Sequence, residues 1–557
     1  MRRGPIVLAV LLMFATGGPT VVAQVETPVP AHPATPFPVA TMPAADLAGV
    51  MPLPITGERR TAFEAYVADA INRFGVPGAS VAVVQNGELV YAQGFGVREL
   101  GGTQPVTPDT LMMIGSNTKS MTSTMAATVV DDGWLSWDTP VVALLPEFAV
   151  ADPQLTPRLS MADAYCACTV VADTDLELMF QFNDLTPDRL IARAAELPLR
   201  APYGQRFQYS NQMYAIGGYA AAAAAGAAPN DLYRGYQLAM RQRLLAPVGM
   251  PHSTFVLEEV LASGDYAVPH AMGLDGQLQK LSPLLDERFA ASVAPAGALW
   301  SSVREMARYL QTELSDGVAP DGTRVVSAEN LERTRAPRVA IQSPPGAPPL
   351  FAEFRDHYAM GWATGAYHGQ PIVGHSGATL GFASEVAFLP KADLGIVILT
   401  NGGQGAGTFN LAVQFRLLEL LFDQPAEIDA LLGPVLESRA AQAAELRSHL
   451  GTVDPDAVTP YLGRYEHPML GEVEVTLRDG RLVFDAGEVR SEMRPRLDEA
   501  GQVVGYVLMD PPLAGPAQVM FDQSNDGRPE VVAEVPGQEG PTTYIFTLPV
   551  QAATPAP

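Results

Sequence analysis

The chain has 557 residues, of which 47% are hydrophobic and 17% are charged, and its formal net charge is −25 at pH 7. The length exceeds that of one ordinary domain, and the composition is typical of globular, core-forming sequences, which excludes a disordered chain. Nucleic acids and anionic membranes both bind positive surface, so the negative charge argues against either as a partner.

The first segments of the chain are expected to precede its folded part. A charged start, an apolar core over residues 6–15 and a small-residue cleavage site ending at Ala23 predict a signal peptide over residues 1–23. This apolar run is too short for an anchor, and no later stretch reaches roughly 18 apolar residues. We therefore expect a periplasmic or secreted protein with no stable membrane span. Residues 24–55, rich in proline and alanine, predict a flexible linker.

A helix, a hairpin and a second helix are predicted next. Apolar residues at helical spacing over residues 61–74 predict an amphipathic helix. The strand-like runs 79–84 and 89–95 flank an Asn-Gly pair, which is the strongest short signal for a two-residue hairpin turn. Residues 117–130 are rich in methionine, threonine and alanine and predict a second helix.

Ser116 and Lys119 form a Ser-x-x-Lys motif at the predicted start of this second helix. Positions i and i+3 share one helix face, so the lysine amine can lie beside the serine hydroxyl. A serine is a poor nucleophile until a base takes its proton, and a lysine serves as that base only where its surroundings favour the neutral amine. The motif alone is weak, because Ser116 could be only a helix N-cap.

Cys166 and Cys168 are separated by one residue and are the only cysteines of the chain. An exported protein could oxidise them, but closing so small a ring needs strained geometry, so a reduced or reversible pair is also open. We interpret them as two small apolar residues of the core. Two thiols cannot complete a four-ligand zinc site, and no His-Glu-x-x-His occurs, so no metal and no cofactor are predicted.

The remainder of this region alternates between helices and strands. Residues 185–250 are mainly helical in pattern, and Ser302 with Glu305 forms a capping box that opens a further helix. Strands are predicted next, and a helix after Asn410 is expected to pack back on their sheet. The sheet is therefore built from both ends of the region, with helices inserted between; its later strands are expected at residues 372–373, 383–389 and 395–399.

Two further motifs follow Ser-x-x-Lys in order. Tyr209 and Asn211 form a Tyr-x-Asn, and His375 and Gly377 form a His-x-Gly. Ser-x-x-Lys, Tyr-x-Asn and a basic residue followed by x-Gly make the three-part signature of the serine β-lactamase and penicillin-binding-protein superfamily. The chain resembles its class C-like branch, which includes class C β-lactamases, D-aminopeptidases, DD-carboxypeptidases and related esterases. The resemblance covers about residues 57–422.

The resemblance implies an α+β catalytic domain over residues 56–424, an antiparallel sheet with a helical inserted region. In it, Ser116 would attack a carbonyl carbon and form an acyl-enzyme, and Lys119 would take the serine proton. Tyr209 would carry that proton to the leaving group and later activate water. Asn211 would hydrogen-bond the lysine and the amide carbonyl of the substrate.

The resemblance also implies roles for backbone groups near the serine. The N–H groups of Ser116 and Ala378 would hold the oxyanion, and Gly377 would let the strand edge approach the serine and the substrate. His375 departs from the lysine usual in the family and matches its D-aminopeptidase-like members. Because histidine is often uncharged near neutrality, this departure disfavours substrates read by a free carboxylate. It favours aminopeptidase substrates, internal bonds or simple esters, unless another basic residue replaces the lysine.

The sequence pattern changes after a predicted helical connector at residues 425–455. Short alternating runs separated by turn signals over residues 456–550 predict a small antiparallel barrel or sandwich. This part resembles the lipocalin-like C-terminal domain of several peptidases of the family and carries no chemical motif. The runs lie at residues 472–477, 482–485, 503–509, 518–521, 530–535 and 542–546.

These observations favour an exported serine peptidase that cleaves short linear peptides, including ones with D- or non-standard residues. A carboxylesterase or β-lactamase with the same acyl-enzyme is the first alternative, and a non-catalytic binding protein is the second. A third concerns the nucleophile, because residues 374–378 approximate the Gly-x-Ser-x-Gly elbow that would make Ser376 reactive. The expected partner is a small peptide or ester, and the sequence does not give the oligomeric state.

Overall fold

The computed structural model describes residues 46–172, 175–343, 347–402, 405–515, 517–535 and 541–549. The predicted signal peptide and residues 24–45 of the predicted linker lie outside these residues. Among the helices of the described residues, none combines the length and the apolar character that a membrane crossing requires.

An eight-stranded antiparallel sheet forms the centre of the N-terminal domain, by which we mean the described residues up to Phe422. The strands of this domain are β1 (Gly78–Gln85), β2 (Glu88–Gly96), β3 (Met112–Met113), β4 (His270–Met272), β5 (Leu278–Lys280), β6 (Trp300–Ser301), β7 (Val339–Ala340), β8 (His357–Tyr358), β9 (Ala363–Tyr367), β10 (Gln370–Ala378), β11 (Ala383–Leu389) and β12 (Leu394–Thr400). The order in the central sheet is β2-β1-β12-β11-β10-β9-β8-β7, so the first hairpin pairs with the last strands of the domain. β3 pairs with β6 and β4 with β5 in two small separate sheets.

Helices cover both faces of this sheet, which confirms the predicted α+β architecture. They are α1 (Gly57–Phe74), α2 (Asn117–Asp131), α3 (Val141–Leu144), α4 (Met161–Tyr165), α5 (Asp175–Gln181), α6 (Pro187–Arg193), α7 (Asn211–Ala224), α8 (Leu232–Met240), α9 (Ala246–Val248), α10 (Leu257–Ser263), α11 (Pro283–Ala291), α12 (Ala294–Gly297), α13 (Val303–Leu314), α14 (Ala328–Arg335), α15 (Pro349–Phe354) and α16 (Ala406–Leu421). Short 3₁₀ turns occur at Thr156–Arg158, Ala194–Glu196 and Pro229–Asp231, and a π-helical turn at Arg241–Leu245 joins α8 to α9.

Strand β1 shows why the sheet needs two helical layers. Successive side chains of a strand point to opposite faces of the sheet, and all residues of β1 are buried because helices cover both faces. Val81 and Val83 belong to the core under α1 and α16, whereas Ala82 and Val84 belong to the larger core of the helical region. The turn to β2 has positive φ at Asn86 and Gly87 (54° and 74°), as the predicted hairpin requires.

Helix α2 runs through the middle of the helical region and is buried on nearly every side. It is rich in serine and threonine, and these hydroxyls are satisfied inside the domain. Thr122 Oγ1 donates to the carbonyl of Thr118 at 3.0 Å, and Ser123 Oγ donates to the carbonyl of Met360 at 2.7 Å. Such bonds let a polar helix lie in a core at little cost.

Two local predictions were wrong. Residues 46–55 are not part of a flexible linker: Leu47 and Ile55 are buried, and Leu53 N–H donates to Leu421 O at 2.7 Å. The proline-rich composition hides three apolar anchors in this stretch. The capping box at α13 is only half formed, since Ser302 accepts from the N–H of Glu305 while the Glu305 carboxylate accepts from the Ser253 hydroxyl instead.

The C-terminal part is a closed antiparallel barrel, reached through α17 (Ile428–Ser448), α18 (Pro455–Val458) and the 3₁₀ turn Thr459–Tyr461. This confirms the predicted small all-β domain. Two of its strands, β13 and β16, were missed by the sequence analysis. The sequence of β16 reads as a run of charged residues and proline. The strands are β13 (Gly463–His467), β14 (Gly471–Arg478), β15 (Arg481–Asp485), β16 (Arg490–Leu497), β17 (Val503–Leu508), β18 (Gln518–Gln523), β19 (Pro529–Val535) and β20 (Thr542–Thr547).

The barrel holds a segment of the N-terminal domain in its core. Phe180 of α5 and the nearby Phe182 are buried in the apolar cluster of the barrel. The ring of Phe180 lies 5.9 Å from that of Phe484 and 6.5 Å from that of Phe546. Leu285 and Phe289 of α11 pack against the same cluster, so the barrel contacts two helices of the inserted region.

Candidate active site

Ser116 lies at the first turn of α2, next to the end of β10. Gly115 precedes it with a φ of 51°, and a Cβ added there would fall 2.6 Å from the amide nitrogen of Ala378. The Ser116 side chain makes no capping hydrogen bond. Its Oγ accepts from Lys119 Nζ at 3.0 Å and from the Tyr209 hydroxyl at 2.8 Å. The interpretation of Ser116 as a simple N-cap is therefore wrong.

Lys119 is buried, with 1% of its surface exposed. Besides Ser116 Oγ, its Nζ donates to Asn211 Oδ1 at 2.6 Å and to the carbonyl oxygen of Ala296 at 2.8 Å. These three acceptors are a hydroxyl, an amide and a backbone carbonyl, all electrically neutral. They fix the amine beside the serine, with the Tyr209 ring centroid 4.6 Å from Nζ.

The first turn of α7 brings Tyr209 and Asn211 together. Ser210 is the N-cap of α7, and its hydroxyl accepts from the N–H of Met213 at 3.3 Å. Extended backbone at the cap places Tyr209 before the helix and Asn211 at its first position. Both side chains therefore reach the same amine from one short segment.

His375 lies on β10 and is 1% exposed. Its Nδ1 is 2.5 Å from the carbonyl oxygen of Ser376, which only accepts, so Nδ1 carries the proton. The Tyr358 hydroxyl then donates to Nε2 at 3.0 Å. Burial, with the positive charges of Lys119 and Arg355 as lesser causes, lowers the pKa of His375 to about 3. The imidazole is neutral at neutral pH and presents no cation to a substrate.

Gly377 is required where β10 passes the start of α2. A Cβ there would fall 2.0 Å from the carbonyl oxygen of Ile114 and 2.4 Å from Ser384 Oγ. The Ser384 hydroxyl donates to Ile114 O at 2.6 Å and accepts from Asn117 Nδ2 at 2.7 Å. These bonds join β11 to the segment around the serine, so the strand end that carries Ala378 lies beside Ser116.

Several site residues were missed by the sequence analysis. The carbonyl of Ala296 in α12, the hydroxyl of Tyr358 and Tyr214 all support the predicted residues. The Tyr214 hydroxyl donates to the backbone carbonyl of Lys119 at 2.7 Å. Backbone acceptors leave no sequence signal, whereas Tyr358 opens a Tyr-Ala-Met-Gly-Trp segment that could have been used to find it.

The two cysteines lie close to the site and are joined to each other as a disulfide, which corrects the interpretation as separate core residues. Both are buried, as expected. Ala167 and Thr169 from the same loop line a small cavity beside Lys119 and Tyr209. Asp163 completes a group of potential metal ligands in the described residues. However, disulfide sulfurs are not the thiolates that a metal site needs.

Ser376 does not form a nucleophile elbow. It lies within β10, opposite Glu385 of antiparallel β11, and the chain turns from β10 into another strand and not into a helix. Its Oγ accepts from the guanidinium of Arg355 at 3.5 Å. The strand–turn–helix context that exposes the serine of an α/β-hydrolase is therefore missing at this position.

Comparisons with known proteins show which chains this one is similar to. Penicillin-binding protein 4 of Amycolatopsis lactamdurans is 29% identical over 385 residues, which are 69% of this chain and 95% of that protein. An unguisins hydrolase of Aspergillus campestris is 27% identical over 372 residues, 65% of each chain. The octameric penicillin-binding protein homologue from Pyrococcus abyssi shares the fold, with a TM-score of 0.58 and 20% identity over 88% of this chain and 100% of that one.

The sequence model of the family described as Beta-lactamase matches residues 63–420, which is more than half of the chain. This span contains α1 from residue 63 onward, the whole central sheet, and all the residues described around Ser116. The chain belongs to the β-lactamase family of serine hydrolases.

Proposed function

We propose that this protein is a peptidase on short linear peptides that works through an acyl-enzyme on Ser116. One observation carries the proposal: the Ser116 hydroxyl oxygen is held at hydrogen-bond distance by both the Lys119 amine and the Tyr209 hydroxyl. A nucleophile and a base within such reach, with the base oriented by further groups, are what covalent catalysis requires.

In the proposed reaction, Lys119 as the neutral amine accepts the Ser116 proton while Oγ attacks the carbonyl carbon. Asn211 and the carbonyl of Ala296 keep the amine aimed at Oγ. The backbone N–H groups of Ser116 and Ala378 stabilise the oxyanion. Tyr209 passes the proton to the leaving amine, and water then hydrolyses the ester by the same route in reverse.

The neutral His375 supports substrates other than those recognised by a terminal carboxylate. A lysine at this position would be a permanent cation, whereas the pKa of about 3 leaves the buried imidazole uncharged. Internal peptide bonds and N-terminal residues make no demand on such a cation. Esters do not need such a cation either. The similarity to a penicillin-binding protein makes β-lactam acylation the second candidate.

The test is hydrolysis of one panel by the wild type, Ser116→Ala and Ser376→Ala. The panel contains linear peptides with L- and D-residues, p-nitrophenyl butyrate and a chromogenic cephalosporin. We expect peptide turnover and fluorophosphonate labelling to be lost in Ser116→Ala and kept in Ser376→Ala. Ester-only turnover would replace the peptidase by the esterase, and full activity of Ser116→Ala would refute the acyl-enzyme.

Export is part of this proposal and rests on the sequence pattern of residues 1–23 alone. Expression of the whole chain with a C-terminal tag tests it directly. We expect the tagged protein outside the cytoplasm with an N-terminus near residue 24, and an intact Met1 in a cytoplasmic protein would contradict export.

A further inference from the structure

The turn between β10 and β11 directly follows the proposed oxyanion donor. Ala378 is the last residue of β10, and Thr379, Leu380 and Gly381 lead into β11. The end of β10 is pressed against the segment before Ser116, since a Cβ at Gly377 has no room there. A shift of this turn would therefore move the Ala378 N–H relative to the nucleophile.

A buried carboxylate holds the turn. Asp286 of α11 accepts from the Thr379 hydroxyl at 2.8 Å and from the Leu380 N–H at 2.9 Å. The same hydroxyl accepts from the N–H of Phe382 at 3.1 Å, so the carboxylate reaches both ends of the turn. Beyond these bonds, the His270 N–H donates to the carbonyl of Gly381 at 3.1 Å and anchors the far side.

This carboxylate is costly to keep. Asp286 is 0% exposed, and burial raises its pKa to about 6, while its hydrogen bonds to the turn oppose the rise. A buried acid with a raised pKa loses solvation that its hydrogen bonds do not fully replace.

The helix that carries Asp286 packs against the barrel and continues into the helix that contacts Lys119. On one side, Leu285 and Phe289 pack against the apolar cluster of the barrel. On the other, α11 leads into α12, where the carbonyl of Ala296 accepts from Lys119 Nζ at 2.8 Å. The consecutive helices α11 and α12 thus contact both the turn beyond the oxyanion donor and the amine beside the nucleophile.

We propose that Asp286 is a positioning residue: through Thr379 and Leu380 it fixes the β10–β11 turn and sets the Ala378 N–H against the oxyanion. Because Asp286 is 0% exposed, it would act through the turn and not by contact with a substrate. This inference rests on the proposed acyl-enzyme reaction and adds a residue to it that lies outside the three sequence motifs.

Asp286→Ala and Asp286→Asn separate positioning from simple support. In the asparagine, the amide oxygen still accepts from Leu380 and the amide nitrogen donates to the Thr379 hydroxyl. Alanine makes neither bond. We expect kcat on the panel substrates to fall about 10- to 100-fold in the alanine variant, with KM within about threefold, because misplaced oxyanion donors act on the transition state. The asparagine variant should restore kcat to within about threefold of the wild type.

Glu305→Gln is the matched control, since Glu305 is also a buried carboxylate that accepts from a hydroxyl, but it lies on α13 and bonds to His252 and Ser253, which are not part of the site or of the β10–β11 turn. Its kcat should equal that of the wild type. Thr379→Val removes the hydroxyl alone and should also lower kcat. It keeps the inference testable if Asp286→Ala fails to fold.

Wild-type kcat in Asp286→Ala or in Thr379→Val, or equal losses in Glu305→Gln, would overturn the inference and leave the proposed function in place. Equal rises of KM and falls of kcat in both Asp286 variants would also overturn it, because a general loss of structure predicts that pattern. A wild type with no turnover and no fluorophosphonate labelling would overturn the proposed function and this inference together.

Discussion

Replacing Asp286 with asparagine should change how the stability of the N-terminal domain depends on pH. The folded protein holds the pKa of this carboxyl at about 6, against an ordinary value of 3.8, because the group is buried. The folded state therefore binds the proton more tightly than the unfolded state does. The stability from this proton is fully present below pH 3.8 and is lost as the pH rises to 6.

The size of the effect follows from the shift. One pKa unit corresponds to about 1.4 kcal/mol, so the whole difference amounts to about 3 kcal/mol, of which about 2 kcal/mol falls between pH 4 and pH 7. Asparagine has no such titration and keeps the shape of the side chain. The stability of Asp286→Asn relative to the wild type should therefore rise by about 2 kcal/mol over this range.

Denaturant unfolding followed by tryptophan fluorescence is the assay. All four tryptophans precede residue 363, so their emission reports the N-terminal domain and not the barrel. The wild type and Asp286→Asn are compared at each pH, so that other titrating groups cancel in the difference. A difference that stays flat within about 0.5 kcal/mol from pH 4 to pH 7 would show that Asp286 is not a buried ionised carboxylate.

Four further substitutions test the site and its support. Tyr209→Phe removes the donor to Ser116 Oγ and should lower kcat by about 10²- to 10⁴-fold on the hydrolysis panel. Gly377→Ala puts a Cβ 2.0 Å from a backbone carbonyl and should lower the melting temperature and abolish turnover, whereas Gly407→Ala, with nothing within 4 Å, should raise stability by about 0.5–1 kcal/mol in the same melts. Phe180→Ala removes one buried ring from the apolar cluster of the barrel and should lower the free energy of unfolding by about 3–5 kcal/mol, seen as faster proteolytic release of the barrel.

Local patterns predicted the elements that depend on few residues. The hairpin after β1 follows from an Asn-Gly pair that accepts positive φ at both positions, and α1 follows from its apolar spacing. Strand β16 was missed because three arginines and a proline hide the alternation of Ser491 and Met493, which point into the barrel. Residues 46–55 were missed for a similar reason, since a few apolar anchors were diluted by proline and alanine.

Part of the site was decided by the sequence itself. Ser116 and Lys119 meet because three residues along a helix bring side chains onto one face, and the Tyr-x-Asn pair meets the same amine across one helix cap. The order of the three motifs also specified the family. Each motif spans a few residues and can be read without knowing the rest of the fold, and so can the contact between Ser116 and Lys119. The contact between Lys119 and Asn211 joins residues 92 positions apart and depends on the fold.

Only the tertiary structure decided what surrounds Ser116 and Lys119. The carbonyl of Ala296 on the lysine, the neutral state of His375 under Tyr358, and the hold of Asp286 on the β10–β11 turn all join distant segments. Each depends on burial, which sets the pKa values and the hydrogen-bond partners of polar groups. Burial is a property of the packed sheet, the inserted helices and the barrel together, so no local stretch of sequence contains it.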